Sequence, residues 1–169
     1  EARIASTWKT VLVSGMGGGA QGVFALDVTN PANFGAGSGA LWEFTDSDDP
    51  DMGNLISAPI IAKFRTKVTG GVPEFKYFAV VASGLNNYAN DGENKFDAAA
   101  PGTLFLLSLD KTPSEKWQEF GMEDGKKVGN YYKFKMPIKN VALQNGLSAP
   151  ALVTGNDGAV RYAYAGDLQ

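Results

Sequence analysis

The sequence predicts an all-β protein of the β-propeller type, a propeller-like fold built from four-stranded antiparallel blades. Three observations support this fold class: short apolar segments end at glycine or proline, those two residues are abundant, and the segments recur in a fixed order. The 169 residues include 21 glycines and 8 prolines, and 44% of the residues are hydrophobic. This composition favours short strands joined by tight turns over long helices.

The first glycine-rich stretch, VLVSGMGGGAQGVFALDVTNP at residues 11–31, is predicted to be a hairpin of two strands. Gly17, Gly19 and Gly22 have the spacing of a dinucleotide-binding loop, but such a loop requires a helix directly after it. The residues that follow, VFALDVT, are rich in β-branched and apolar side chains and end at Asn-Pro. Because these are strand signals, the glycines are interpreted as a turn and not as a nucleotide site.

Four kinds of segment recur along the chain. We label them by their order in the repeat: A follows the SAP motifs at residues 57–59 and 148–150, B covers 8–15, 77–84 and 161–166, C covers 22–27 and 103–108, and D covers 41–44 and 117–120. A β-propeller stacks four-stranded sheets of this kind radially. A β-sandwich is the rival fold, and it predicts no fixed order of strands.

In chain order the segments read B, C, D, then A, B, C, D, then A, B. We therefore expect residues 1–169 to form a single propeller segment, a partial propeller with about two blades plus edge strands. Two blades do not close a ring of about four to eight, so the chain is expected to be a fragment of a larger propeller domain. Residues 86–101 and 121–145 are predicted insertions.

Charge and composition exclude several function classes. A net charge of −3 argues against a general nucleic-acid binder, which needs concentrated positive charge. The absence of histidine and cysteine removes Ser-His-Asp and Cys-His catalytic arrangements and the usual zinc ligands. No apolar run reaches the roughly 20 residues that span a bilayer, so no membrane insertion by this segment is expected.

Five motifs carry a family resemblance: WKTVLVSGMGGGAQGVFALDVTNP, LWEFTDSDDPDMGN, SAPIIA, ASGLNN and RYAYAGDLQ. With these residues the chain resembles the C-terminal β-propeller domain of the PilC/PilY family, the type IV pilus tip adhesins and biogenesis factors of Gram-negative bacteria. The resemblance implies a non-enzymatic interaction or scaffold domain in the periplasm, the outer membrane or the pilus tip. It implies roles in pilus biogenesis, retraction control, adhesion and twitching motility.

The partners implied by the resemblance are pilin or minor pilin subunits and a host-surface receptor. The alternative is a segment of a pyrroloquinoline-quinone-dependent periplasmic dehydrogenase, because propellers of that class carry similar FALD and LWEF strands. A dehydrogenase needs a catalytic aspartate, calcium ligands and an axial pocket, and the chain offers no convincing set of them. No catalytic, cofactor-binding or metal-binding residue is therefore assigned.

Members of the family often carry a calcium loop directly before YAGDLQ. The corresponding positions here are Val153, Gly155, Asp157 and Arg161, of which only Asp157 is a carboxylate. Calcium requires six to eight oxygen ligands, and Arg161 places a positive charge at a ligand position. The segment Asn-Asp-Gly at residues 156–158 is therefore predicted to be a hairpin turn.

Two other acidic loops are candidate calcium sites. The loop at residues 46–51, DSDDPD, is interpreted as a solvated inter-blade loop, since it lacks the glycine and distal glutamate of an EF-hand loop. In the loop at residues 90–97, Asp91, Glu93 and Asp97 offer alternating oxygen donors. An ordinary polar loop tip is the favoured interpretation there.

Basic and aromatic residues alternate within the second insertion. Lys126 and Lys127 precede the segment YYKFK at residues 131–135. This pattern is interpreted as a half-buried hairpin strand with a solvated face, while binding of single-stranded nucleic acid, anionic glycan or a pilin subunit are alternatives. The three tryptophans at positions 8, 42 and 117 are predicted to pack between sheets.

Overall fold

The computed structural model describes residues 1–35, 38–83, 85, 87, 92, 95–97, 99, 101–140 and 145–168. Its regular structure is antiparallel β-sheet with one short 3₁₀ turn at Pro31–Asn33. The strands in chain order are β1 (Ala2–Ile4), β2 (Thr7–Lys9), β3 (Val11–Gly15), β4 (Gly22–Asp27), β5 (Ala40–Thr45), β6 (Ile60–Thr69), β7 (Val72–Ser83), β8 (Thr103–Ser108), β9 (Gly121–Glu123), β10 (Lys126–Val128), β11 (Tyr131–Lys135), β12 (Ala151–Thr154) and β13 (Val160–Tyr164). The predicted all-β class is confirmed.

Three sheets follow the predicted order of strands. The first sheet is the meander β3-β4-β5, the central sheet has the order β11-β8-β7-β6, and the third pairs β12 with β13. These sheets correspond to the predicted B-C-D, A-B-C-D and A-B groups, except that the fourth strand of the central sheet is not the segment predicted for it. The hairpins β1-β2 and β9-β10 complete the described structure.

The glycine-rich loop joins two antiparallel strands. The last ladder pair of β3 and β4 is Gly15 with Val23, and beyond it the N–H of Met16 donates to the carbonyl of Gly22 at 3.0 Å. Gly17 adopts a φ of 61°, in the left-handed region that favours glycine. The predicted hairpin is confirmed, since a nucleotide loop would lead into a helix.

The fourth strand of the central sheet was predicted wrongly. The sequence placed it at residues 117–120, but β11 occupies that position and pairs with β8, with Tyr131 opposite Leu107. The earlier segment makes only one described bridge, from Glu119 to Tyr131. The Trp117 indole N–H donates to the carbonyl of Glu43 in β5, which holds this segment against the first sheet.

The first predicted B strand is divided between two sheets. Residues 8 and 9 belong to β2, which pairs with β1, while residues from Val11 onward belong to β3. Between them, the N–H of Thr10 donates to Oγ1 of Thr29 at 3.0 Å, and the carbonyl of Thr10 accepts from the N–H of Val28 at 2.9 Å. These bonds redirect the chain at Thr10.

The central sheet is buried on both faces. Ala79 and Val81 of β7 belong to a core shared with the first sheet, whereas Phe78 and Val80 belong to a second cluster that includes Leu152 of β12. This alternation is the period of two expected of a strand. Face-to-face stacking of consecutive meander sheets gives the propeller-like arrangement.

An aromatic cluster fills the space between the first and central sheets. The ring of Phe44 meets the rings of Phe105, Trp117 and Tyr131 edge to face, at centroid distances of 5.2, 5.1 and 5.2 Å. Such pairs add to the stabilisation that burial itself provides. Among the described residues there is no helix with the length and apolar character needed to cross a membrane.

Candidate interaction surface

The acidic loop at residues 46–51 is buried, so the prediction of a solvated loop is wrong. Asp49 is 2% exposed and Asp51 is 0% exposed. The loop is turned inward by local bonds: the N–H of Thr45 donates to Oδ2 of Asp48 at 2.9 Å, and the N–H of Asp51 donates to Oδ1 of Asp49 at 3.0 Å. Buried carboxylates require partners, and strand β11 supplies them.

Lys133 neutralises two of the buried carboxylates. Its Nζ lies 2.9 Å from Oδ2 of Asp49 and 2.9 Å from Oδ2 of Asp51. The hydroxyl of Tyr131, two residues earlier on the same face of β11, donates to Oδ2 of Asp49 at 2.7 Å. The acidic loop is therefore attached to the central sheet by two ion pairs and by a hydrogen bond from a tyrosine hydroxyl to a carboxylate.

Lys135 extends this cluster to a third carboxylate. Its Nζ lies 3.1 Å from Oδ1 of Asp51 and 2.9 Å from Oδ2 of Asp97. The N–H of Asp97 in turn donates to the carbonyl of Asn87 at 2.9 Å. Three carboxylates and two ammonium groups thus join the acidic loop, the segment at 95–97 and strand β11.

Burial and pairing shift the pKa values within this cluster in opposite directions. Burial raises the pKa of Asp51, and the neighbouring Asp97 raises it further, although Lys133 opposes both effects. Burial also disfavours the charged form of Asp97, but Lys135 and then the neighbouring Asp51 leave its pKa lowered. Burial alone would lower the pKa of Lys133, yet its carboxylate partners leave it raised. Lys133 is therefore held protonated as the counter-ion of the cluster.

The arrangement does not suit a metal ion. The two ammonium groups occupy the carboxylate oxygens that a cation would need. Among the residues that the structure describes, no group of three or more acidic side chains has a geometry that could hold a metal. The cluster acts as a brace between loop and sheet.

Beside this brace lies a groove, which we call the Trp117 groove. It has a volume of about 980 Å³ and is bounded by β4, β5, the acidic loop and the segment at 111–117. Trp42 and Trp117 meet edge to face in it at 5.2 Å. The indole nitrogen of Trp42 is buried and has no hydrogen-bond partner within the described part of the chain.

Lys111 is the charged residue set most deeply in the groove. It is 7% exposed, donates from Nζ to the carbonyl of Thr112 at 3.1 Å, and lies 4.8 Å from the ring centroid of Trp117. Burial lowers its pKa, and the nearby Glu115 and Asp48 offset this only in part. The groove thus combines a largely desolvated cation with tryptophan rings, the side chains that are enriched at binding hot spots.

The loop that corresponds to the family's calcium site does not fit calcium. Asp157 forms an ion pair with Nη2 of Arg161 at 2.8 Å and accepts from the N–H of Ala159 at 3.1 Å. The bond from Ala159 lowers the pKa of the Asp157 carboxyl. The predicted turn between β12 and β13 is confirmed, with Gly158 at a φ of 71°. For the other calcium candidate, Asp91 and Glu93 lie outside the described residues.

The basic and aromatic segment forms a strand, as predicted, but its lysines are not all solvated. Lys133 points at the buried carboxylates, whereas Tyr132 lies on the opposite face. There Lys127 contacts the Tyr132 hydroxyl and lies 4.6 Å from the ring centroid of Phe120. The aromatic rings on this face are therefore engaged with a lysine of the β9-β10 hairpin.

The tryptophans differ in their surroundings. Trp42 and Trp117 pack between sheets as predicted. Trp8 does not: it is 59% exposed, because its strand β2 pairs with β1 and does not continue β3.

The burial of the acidic loop is not predictable from its local sequence, because the partners of Asp49 lie more than 80 residues later in the chain.

Comparison with known proteins identifies relatives over the whole chain. The chain is 36% identical over 163 residues to the type IV pilus biogenesis factor PilY1 of Pseudomonas aeruginosa strain UCBPP-PA14. It is 30% identical over 170 residues to the factor of the same name from strain PAO1. These alignments cover 96% and 100% of the chain but only 11% of each relative. A PilY1 homolog of Xylella fastidiosa is 43% identical over 65 residues, which is 38% of the chain.

The fold comparison agrees with the sequence comparison. The crystal structure of the Pseudomonas aeruginosa PilY1 C-terminal domain matches 99% of the chain with a TM-score of 0.64 and 28% sequence identity. The match covers 27% of that domain's chain. No protein-family model matches the chain. Sequence and fold together establish that the chain is homologous to the C-terminal domain of the PilY1 type IV pilus biogenesis factors, which confirms the PilC/PilY resemblance.

Proposed function

We propose that the chain is a non-enzymatic interaction and scaffold domain of a protein that acts in type IV pilus biogenesis. The observation that carries the proposal is homology to PilY1 biogenesis factors along 96% of the chain. By the same homology we propose roles in retraction control, adhesion and twitching motility. The relatives give no support to the quinone-dependent dehydrogenase alternative.

The geometry favours binding over chemistry. The ionisable side chains that are most deeply buried, Asp49 and Asp51, are neutralised by Lys133 and serve to hold a loop on the sheet. The Trp117 groove, by contrast, presents tryptophan rings and Lys111 along the edge strand β5. Edge strands and aromatic clusters are common points of protein attachment.

The proposed partners are pilin or minor pilin subunits and a host-surface receptor, and the proposed location is the periplasm, the outer membrane or the pilus tip. We expect the pilus-subunit contact to lie in the Trp117 groove. We also propose that residues 1–169 form one segment of a larger propeller domain. In support, the chain matches 27% of the PilY1 C-terminal domain structure with its sheets in meander order.

A segment exchange tests the proposal. In Pseudomonas aeruginosa PilY1, the matching region would be replaced by this chain, and the chimera would be expressed in a strain that lacks native PilY1. Surface pili and twitching would then be measured. We expect piliation and twitching to be restored, and we expect Trp117→Ala to reduce twitching more than Met122→Ala, a substitution of an exposed side chain in β9. A chimera that accumulates at the normal level but restores neither property would refute the proposal.

A further inference from the structure

A second groove lies between the β1-β2 hairpin and the central sheet, and it shares no lining residue with the Trp117 groove. In the hairpin, Arg3 lies directly opposite Trp8, and in the central sheet Lys63 lies directly opposite Tyr77. The rings of Trp8 and Tyr77 meet edge to face with their centroids 6.0 Å apart. Two cross-strand pairs, each a cation opposite an aromatic ring, therefore line one cavity of about 560 Å³.

The hairpin holds Trp8 in its exposed position. Ala2 and Ile4 alternate with Arg3 along β1 and are buried on the other face of the hairpin. The N–H of Ala5 in the hairpin turn donates to Oδ1 of Asp110, two residues beyond the end of β8, at 3.1 Å. Because both the strand and the turn are anchored, the Trp8 ring remains at the mouth of the groove.

The carboxylates that line this groove already have partners. Oδ2 of Asp110 lies 3.3 Å from Nζ of Lys76. Glu74 accepts a hydrogen bond from Oγ1 of Thr69 at 3.0 Å and lies 3.8 Å from Nζ of Lys67. These carboxylates retain free lone pairs that can accept hydrogen bonds from hydroxyl groups.

Arg3 and Lys63 differ from Lys76, the other cation that lines the groove. Nε of Arg3 donates to the carbonyl of Ser6 at 3.2 Å, and Nζ of Lys63 lies 4.9 Å from the ring centroid of Phe75. Neither side chain forms an ion pair with a carboxylate among the described residues; Asp157, near Lys63, is paired with Arg161. The groove therefore presents two positive charges that are not matched by ion pairs within it.

We propose that this groove binds an acidic saccharide, with a uronic-acid residue as the minimal recognised unit. The apolar face of a pyranose ring stacks on Trp8, while its carboxylate accepts charge-assisted hydrogen bonds from Arg3 and Lys63. In a uronic acid the carboxylate is attached directly to the ring, and cross-strand neighbours have Cβ atoms about 5 Å apart. A sugar ring stacked on Trp8 can therefore place its carboxylate beside Arg3, the cation directly opposite Trp8 in the hairpin.

The acidic-saccharide site is independent of the proposed role in pilus biogenesis, since it depends only on contacts within the chain. The test is calorimetric titration of the purified chain with trigalacturonic acid, with its fully methyl-esterified form as the uncharged comparator. We expect the acid to bind at least about tenfold more tightly than the ester, a difference of about 1.4 kcal/mol. Binding should weaken as salt is added.

Variants separate this groove from the rest of the surface. Trp8→Ala and Arg3→Gln are each expected to weaken binding of trigalacturonic acid at least about tenfold. The control is Tyr162→Ala, which removes an aromatic ring of similar exposure, 63%, from β13 and should leave binding unchanged. Urea unfolding of each variant verifies that the fold is retained.

Three results would overturn the saccharide site. The first is equal affinity for the acid and its ester, and the second is full binding by Trp8→Ala. The third is binding of a tetraglutamate peptide, with the same dependence on Trp8 and Arg3, in the absence of saccharide binding. That last result would assign the groove to acidic polypeptides.

Discussion

The Nζ atom of Lys133 lies 2.9 Å from Oδ2 of Asp51, a side chain with no exposed surface. The pair joins a loop that follows the first sheet to the last strand of the central sheet, more than 80 residues later in the chain. It is reinforced by Asp49 and Lys135. This ionic brace fixes one wall of the Trp117 groove.

Replacement of Lys133 by methionine should destabilise the chain severely. It leaves Asp49 and Asp51 buried with one cation fewer, and breaking a buried ion pair from one side costs about 3–5 kcal/mol. Lys126→Met is the matched control, because Lys126 is exposed on β10 and makes no ion pair among the described residues. Urea unfolding measures both; equal midpoints would mean that the brace contributes nothing.

Gly53→Ala should disrupt the end of the acidic loop. A Cβ atom at this position would lie 2.1 Å from the carbonyl oxygen of Leu85. The backbone cannot easily move away from this oxygen, because the N–H of the next residue, Asn54, donates to it at 2.7 Å. We expect a loss of about 2 kcal/mol or more in the free energy of unfolding. At Gly18, where a Cβ would meet nothing within 4 Å, the same substitution should be nearly neutral. Similar losses at both sites would contradict the close approach to Leu85.

Asp27 should contribute to stability in an acid-dependent way. Hydrogen bonds from Lys9 and then Thr29 lower its pKa from 3.8 to about 2. Between pH 3.8 and about 2 the Asp27 carboxyl is mostly protonated in the unfolded chain but mostly ionised in the folded chain. The stabilisation that Asp27 provides is therefore complete above pH 3.8 and is lost as the pH falls toward 2. Asp27→Asn should flatten the stability profile in that range, measured by urea unfolding at successive pH values. A profile that Asp27→Asn does not alter would contradict the shift.

Ser6→Gly should stabilise the β1-β2 hairpin. Ser6 has a φ of 71° and Ala5 a φ of 45°, and left-handed backbone costs a non-glycine residue about 1 kcal/mol. Glycine removes this cost in the tight hairpin turn, so the melting temperature should rise by about 2–4 °C. Thr7→Gly, in the neighbouring strand, should lower it, because glycine weakens a strand. A decrease for Ser6→Gly would contradict the left-handed turn.

Local patterns predicted most strands because they depend on neighbouring residues. The SAP motifs at residues 57–59 and 148–150 precede β6 and β12, and the glycine-rich segment at 16–21 forms the β3-β4 turn. The strand predicted at residues 117–120 failed for a long-range reason. Its pattern resembles β5, but Trp117 is bound to the carbonyl of Glu43, a contact that no local pattern records.

The candidate surfaces were less predictable than the strands. The sequence DSDDPD at residues 46–51 is typical of a solvated loop, and its burial depends on Lys133 and Lys135 arriving from a distant strand. The exposure of Trp8 likewise depends on the break at Thr10, where two hydrogen bonds to residues 28 and 29 redirect the chain. Both features follow from tertiary pairing and not from composition.

In-cell photocrosslinking of the intact protein tests its proposed role in the pilus most directly. A photoreactive amino acid would replace Lys116, at the rim of the Trp117 groove, in piliated cells, and the cross-linked peptides would be identified by mass spectrometry. Adducts with major or minor pilin subunits are the expected result, and a probe at Met122 on β9 should give fewer. Adducts only with a cytochrome or another electron-transfer protein would contradict a pilus-binding scaffold.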